Sequence, residues 1–171
     1  MITAAPTLTT ARLILRQPVP GDMDAYVAYA MSDRARFVGG PFDEAQAVAR
    51  LGAMIAHWPL HGYGRYVMMQ GERAIGHVGP LARDDDHPPE MTWTLWDGAA
   101  EGQGLATEAA QAVTRHVFDD LRWPAMILRI ESGNTASLRL AEKLGATLSD
   151  DPIPGWSADV LTYDLRAQVR A

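Results

Sequence analysis

A chain of 171 residues with 47% hydrophobic and 21% charged side chains has the length of one domain, expected over 1–171, and enough apolar material for one sizeable core. It has no cysteine, which excludes structural disulfides, thiolate zinc sites and a cysteine nucleophile, and its net charge of −6 argues against nucleic-acid binding and mildly favours a cationic acceptor. No apolar run reaches membrane-spanning length and Met1-Ile2-Thr3-Ala4-Ala5-Pro6 lacks the charged start and apolar centre of a secretory signal, so a soluble cytoplasmic protein with no membrane partner is expected.

In chain order, the alternation of Ala11, Leu13 and Leu15 with Arg12, Ile14 and Arg16 predicts a first strand over Leu8 to Arg16, ended by Pro18-Val19-Pro20-Gly21. Asp22 is expected to cap a short helix to about Met31 that carries Tyr26 and Tyr29. Beyond Gly39-Gly40-Pro41, a second helix capped near Asp43 places Val48, Leu51, Ile55 and Trp58 on one apolar face and is expected to end at Pro59. Tyr63 to Gln70 and Ala74 to Leu81 flank Gly71-Glu72-Arg73 and predict an antiparallel hairpin. After the polar loop Asp84-Asp85-Asp86-His87-Pro88-Pro89, the aromatic, threonine-rich run Met91 to Trp96 predicts strand four.

That strand leads into Glu101-Gly102-Gln103-Gly104-Leu105-Ala106-Thr107-Glu108 and then a helical pattern. Glycines let a backbone approach a bound group, and the first turn of a helix has N–H groups without intrahelical acceptors, so strand, glycine turn and helix start together predict a phosphate cradle. Leu105, Ala109, Ala112, Val113, His116 and Val117 carry the helix to about Asp120. Pro124 opens a fifth strand over Met126 to Ile130, Ser132-Gly133-Asn134 forms a turn and cap, and a last helix runs to Gly145. Strands near Thr147 to Leu148 and Asp159 to Leu165 complete a mixed α/β sheet with helices on both faces.

Other residue types with chemical potential have plainer roles. His77 stands alone in a strand, His57 and His61 have metal spacing interrupted by Pro59, and the Asp84 to His87 run lacks the glycine and ligand spacing of a calcium loop, so no metal is expected. Gly102-Gln103-Gly104 begins like a dinucleotide fingerprint but has Thr107 where the third glycine belongs. Phe37, Trp93 and Tyr66 are candidates for an acceptor pocket or for core.

Three groups of residues then carry a resemblance. Thr10-Ala11-Arg12-Leu13-Ile14-Leu15-Arg16 with Asp22 to Ala25 after it, Gly104-Leu105-Ala106-Thr107-Glu108-Ala109, and Asn134-Thr135-Ala136-Ser137 followed by Glu142-Lys143-Leu144-Gly145 occur in order and at fitting separations. Over nearly its whole length the chain resembles the GNAT acetyltransferases, in the branch that includes the ribosomal-protein N-terminal acetyltransferases. The resemblance implies a GNAT fold, with a mostly antiparallel central sheet of about six to seven strands splayed between strands four and five. It implies acetyl-CoA as cosubstrate in that splay, its pyrophosphate held by Gly102, Gln103, Gly104, Leu105, Ala106 and Thr107. Asn134 adds a hydrogen bond to the cosubstrate, and amides around Leu95 and Trp96 serve the oxyanion and pantetheine.

By the same resemblance the acceptor is a primary amine, on a protein N-terminus or a small molecule, and a homodimer is compatible. Glu90 is implied as the group that takes the amine's proton, often through water; its plainer reading is a solvated carboxylate beside Pro89. Many superfamily members protonate the departing thiolate with a tyrosine, but the matching position here is Ala141, which leaves Ser137, one turn earlier, as the available hydroxyl. Glu101 stands where the phosphate loop often opens with Gln or Arg, and its carboxylate is expected to point away while backbone amides hold the phosphates. Glu101 and the missing tyrosine motivate an alternative, a non-catalytic acyl-CoA-binding regulatory module.

Overall fold

The computed structural model describes residues 6–168, so the Met1 to Ala5 stretch of the expected signal-free N-terminus lies outside the described residues. Alternating segments form one eight-stranded sheet in the order β1-β2-β3-β4-β5-β6-β8-β7. The strands are β1 (Leu8–Thr9), β2 (Ile14–Arg16), β3 (Tyr66–Gln70), β4 (Arg73–Leu81), β5 (Glu90–Leu95), β6 (Ala125–Glu131), β7 (Thr147–Leu148) and β8 (Val160–Arg166). The helices are α1 (Met23–Ala30), α2 (Glu44–His61), α3 (Leu105–Arg115) and α4 (Thr135–Leu144). Neighbouring strands pair antiparallel except β5 and β6, which run parallel with a single register pair, Glu90 with Ile127.

Because successive strand residues face opposite sides, the sheet sorts its apolar side chains into two cores. On one face Leu105, Ala109 and Val113 of α3 and Leu140 of α4 pack with Met68, Ile75, Met91 and Leu128. On the other, Tyr26 and Tyr29 of α1 and Leu51 and Met54 of α2 pack with Val67 and Trp96. Leu51, Met54, Met68 and Leu128 have no exposed surface, and each such side chain contributes ~1.5–3 kcal/mol by leaving water. Among the described residues no helix is long and apolar enough to cross a membrane.

Several expected boundaries move, each for a local reason. The first strand is two, which with the expected later strands makes eight rather than six or seven. Thr10 donates its N–H to Leu13 O at 2.9 Å and its Oγ1 accepts from Leu13 N at 3.0 Å, which folds the middle of the segment into a turn. Asp22 precedes α1 without capping it: the carboxylate is buried, taking Arg16 at 2.7 Å and the Val19 N–H at 2.8 Å. Pro59 does not end α2, since its fixed φ is helical and it forfeits one N–H bond within the last turn; the helix continues to His61 and is capped by Gly62, whose N–H reaches Trp58 O at 2.8 Å. The buried face of α2 carries Ala47 and Met54 beside Leu51 and Trp58, and Val48 is exposed. The expected helix to Asp120 is α-helical only to Arg115 and widens into a π turn over His116–Asp120, closed by Leu121 N–H on His116 O.

The start of α2 is held reciprocally, with Asp43 Oδ1 accepting Gln46 N–H at 2.8 Å and Gln46 Oε1 accepting Asp43 N–H at 3.0 Å. Asp43→Ala is therefore expected to cost ~1 kcal/mol, read as a fall of ~2–4 °C in Tm. An unchanged Tm would show the cap to be energetically idle.

Candidate active site

The loop after β5 is built to leave amides exposed. Asp97 accepts Ala99 N–H at 2.9 Å and starts a single 3₁₀ turn, Gly98–Ala100. The chain then passes through two left-handed residues, Gly102 at φ 72° and Gly104 at φ 76°, which glycine adopts without a Cβ penalty. Gly104 is the N-cap of α3 and provides no side-chain cap, so the N–H groups of Leu105, Ala106 and Thr107 open on the space beside the loop. A Cβ on Gly102 would meet nothing within 4 Å. Gln103 folds back, its Nε2 donating to Ala99 O at 2.7 Å, while Leu105 is buried and anchors the helix start in the core.

Two carboxylates border this cradle, and each carries its own cation. Glu101 accepts from Arg34 at 2.8 Å, and Arg34 also donates to Leu95 O at 3.0 Å. Glu108 takes the Thr10 hydroxyl at 2.6 Å, the Arg12 N–H at 2.8 Å and Arg12 Nε at 2.7 Å; the Thr10 bond foremost, then Arg12, holds its carboxyl below the ordinary value. Arg12 also donates to Gln103 O at 2.9 Å, so the β1–β2 turn clamps the loop. A cleft of about 470 Å³ opens here, lined by Thr10, Arg12, Gly104, Thr107, Arg115 and Lys143. The donor set fits the phosphates of an acyl-CoA: free helix-start amides, an open glycine and neutralised acids. A larger cavity of about 750 Å³ lies at the far end of α3, lined by residues including Thr114, Phe118 and Trp123, away from the cradle.

The loop follows directly on β5, and Arg34 ties the two by donating to both Leu95 O and Glu101. Trp96 donates its N–H to Ile75 O at 2.7 Å, so that amide is committed to β4. Antiparallel ladders alternate, which turns the Leu95 N–H to the other edge, towards β6, where Met91 to Leu95 have no ladder partner. The Trp96 indole is buried and donates to His77 Nδ1 at 2.9 Å.

Glu90, at the one point where β5 and β6 pair, is 4% exposed rather than solvated. Arg129 Nε donates to its Oε2 at 3.0 Å and Arg83 approaches the same oxygen at 3.8 Å. Burial nevertheless outweighs these cations and raises the Glu90 carboxyl above its ordinary value. Neither arginine was singled out by the sequence, because 39 residues separate Arg129 from Glu90 and no local pattern joins them.

Across β5, Trp93 Nε1 donates to Ser137 Oγ at 3.2 Å, which leaves the hydroxyl proton free to point elsewhere. Asn134 Oδ1 accepts the Ser137 N–H at 3.2 Å and caps α4, fixing both residues at the helix start. Ala141, one turn on, is fully buried.

The remaining candidates separate. Tyr66 is in the α3/α4 core against Trp58 and Trp93 packs on that same core, while Phe37 lies beside Gly133, next to the cap of α4. His77 is buried, which lowers its pKa well below the ordinary value and suits it to accept from Trp96. His57 uses both ring nitrogens, Nδ1 with Tyr63 O at 2.8 Å and Nε2 with Ala82 N–H at 2.9 Å. Asp84 turns on itself, accepting the N–H groups of Asp86 and His87 and the His87 ring. Among the described residues no metal-binding group of three or more side chains gathers.

Residues 12–147 match the family described as acetyltransferase (GNAT) domain. The crystal structure of an acetyltransferase from Agrobacterium tumefaciens str. C58 is similar at 33% identity over 94% of each chain, with a TM-score of 0.83. RimL, a ribosomal L7/L12 alpha-N-protein acetyltransferase solved in complex with coenzyme A, shares the fold at a TM-score of 0.76 and 16% identity, over 94% of this chain and 98% of that one. The uncharacterized protein YkkB of Bacillus subtilis (strain 168) is 35% identical over 66 residues, a stretch that spans 39% of this chain and only 38% of that relative.

Proposed function

The chain belongs to the GNAT acetyltransferases, and from that membership we propose that it moves an acetyl group from acetyl-CoA to a primary amine, on a small molecule or a protein N-terminus, by direct attack in a ternary complex. The observation that carries this reading is the uncapped start of α3, joined by one loop to the end of β5, whose edge towards β6 is unpaired and which Arg34 ties to that loop: the first is suited to phosphates, the second to offering an amide to a thioester. Acetyl-CoA supplies the activated acyl group. Gly102, Gln103, Gly104, Leu105, Ala106 and Thr107 cradle its pyrophosphate through backbone and threonine hydroxyl, and Asn134 adds a contact from the start of α4. The reaction is assigned to the cytoplasm as one domain, in keeping with a cysteine-free chain.

The amine nitrogen forms the new N–C bond as the C–S bond breaks. Glu90, directly or through one water, takes the proton lost by the amine, and the Leu95 N–H faces the oxygen on which charge develops, with Trp96 fixing that amide's direction. Ser137 gives its hydroxyl proton to the thiolate and recovers one from solvent. The indole of Trp93 supports this by donating to Ser137 Oγ, which orients the hydroxyl proton outwards.

Thiol release from acetyl-CoA against a panel of amines, amino acids and short peptides tests the proposal. Release that depends on one acceptor class is expected; calorimetric binding of CoA with no amine-dependent release would favour the binding module instead. Ser137→Ala is expected to lower kcat ~10- to 100-fold with the KM for acetyl-CoA unchanged, since the hydroxyl acts on the leaving group. Unchanged kcat would remove Ser137 from the proton path.

A further inference from the structure

The α1/α2 face of the sheet carries more cation than its carboxylates can answer, although the chain as a whole is at −6. Glu90 lies on this face, as do His77 and Thr94, which are register partners, and Val67, which pairs with His77. Glu90 already receives Arg129 and Arg83, and Glu101 receives Arg34. Two buried nitrogens here, Arg34 Nε and Arg83 Nε, have no hydrogen-bond partner.

Arg65 is the unanswered charge. It precedes β3 by one residue, its carbonyl is fixed by the Trp58 indole at 3.0 Å, and its backbone crosses β4 where Gly79 leaves room: a Cβ on Gly79 would lie 3.1 Å from Arg65 Cα. Two residues before Val67, it takes the same face of the sheet and keeps part of its surface in water; burial of the rest lowers its pKa, and Tyr26, Arg50, Glu90 and Tyr29 are the groups whose charges act on it. Among the described residues it has no hydrogen-bond or ion-pair partner. Arg50, a like charge that acts on it, is exposed and stacks on Phe42 at 4.1 Å without a carboxylate of its own. Two guanidiniums on one face, neither with a carboxylate of its own, make the local field positive and attract an anion. The cleft at the cradle has cations of its own, Arg115 and Lys143, with Arg12 already on Glu108, and Arg65 does not line it.

We propose that Arg65, with Arg50 beside it, binds an anionic group, a carboxylate or a phosphate, carried by the small amine that accepts the acetyl group. The inference rests on the acetyltransferase reading and reverses what net charge suggests, because recognition follows the local field and not the total. The geometry complements a zwitterion: the amine towards Glu90, the anion towards the planar fork of Arg65.

Matched pairs of acceptors test this, each with one amine and with or without the anion: amino acids against their amides for the carboxylate, and aminoalkyl phosphates against amino alcohols for the phosphate. The wild-type protein is expected to favour the anionic member of at least one pair by about ten- to a hundred-fold in kcat/KM. Arg65→Gln should abolish that preference through the acceptor KM while leaving the neutral member and the KM for acetyl-CoA unchanged, and Arg65→Lys, which keeps the cation, should retain part of it. Equal use of both members, or a loss that falls equally on both or on acetyl-CoA, would overturn the assignment. If no amine is acetylated the acetyltransferase reading fails separately, and titration of the CoA complex with N-acetylserine and N-acetylserinamide then decides. Tighter binding of the acid that Arg65→Gln erases supports the anion site, and equal binding overturns it.

Discussion

Glu90→Gln is expected to lower kcat by about 10²- to 10³-fold with little change in the KM for acetyl-CoA, the effect of removing a positioned general base. The substitution is close to isosteric, and the amide oxygen can still accept from Arg129 Nε, whose guanidinium otherwise keeps only Pro154 O and the Trp156 ring. A Tm near wild type would separate lost chemistry from lost structure. The pH profile provides the second readout. Burial raises the Glu90 carboxyl above its ordinary value against the opposing pull of Arg129 and Arg83. As a base it works only when ionised, so activity should fall with falling pH along a limb placed above the ordinary carboxylate range, and Glu90→Gln should erase that limb along with the rate. The sign for stability is opposite. A carboxyl that binds its proton more tightly folded than unfolded adds stability below its unfolded pKa and withdraws it as pH rises through the folded one. Wild type should therefore lose stability across that window relative to Glu90→Gln. A variant with full activity would leave Glu90 as the structural partner of Arg129 and nothing more.

The parts of the site that could be read from sequence are those whose cause is local. Gly102 and Gly104 between a strand pattern and a helix pattern specify the left-handed turn that opens α3, and Asn134 with Gly145 bracket α4, because turns and caps depend on neighbours a few residues away. The long-range ion pairs could not be read. Arg12 meets Glu108 across 96 residues, Arg34 meets Glu101 across 67, and Arg129 meets Glu90 across 39. Periodicity tells which face a side chain takes and says nothing of its partner. Arg34 shows the consequence: Glu101, an oddity beside a phosphate loop when seen alone, is an ordinary carboxylate once its cation is in view. The boundaries that moved follow the same division. Pro59 breaks a helix by rule, yet at the last turn it removes one bond and little else, while Asp22 has the residue type of a cap and spends its carboxylate on Arg16.

Gly76→Ala is expected to be the most damaging single methyl in the sheet, costing ~3 kcal/mol or more, the upper part of the range for overpacking, and ~6–12 °C in Tm. Gly76 lies in the middle of β4 between β3 and β5, opposite Leu95. A Cβ there would stand 2.6 Å from Met68 Cε, 3.1 Å from Leu95 Cα, and closer still to Thr94 O. Met68 could swing its methyl aside, but the Thr94 carbonyl and the Leu95 Cα are backbone and can retreat only if β5 parts from β4. That movement would displace the Leu95 N–H, the amide proposed to face the oxyanion, so kcat should fall at temperatures where the variant is still folded, with the thiol-release assay and the melting curve moving together. Gly52→Ala is the control. It sits within α2 with nothing inside 4 Å of an added Cβ, and replacing a helical glycine there should stabilise by up to ~1 kcal/mol and leave turnover unchanged. A Gly76→Ala protein that melts with wild type would mean that β4 and β5 are not as closely held as the Leu95 assignment requires, and the amide would then need no glycine behind it to keep its direction.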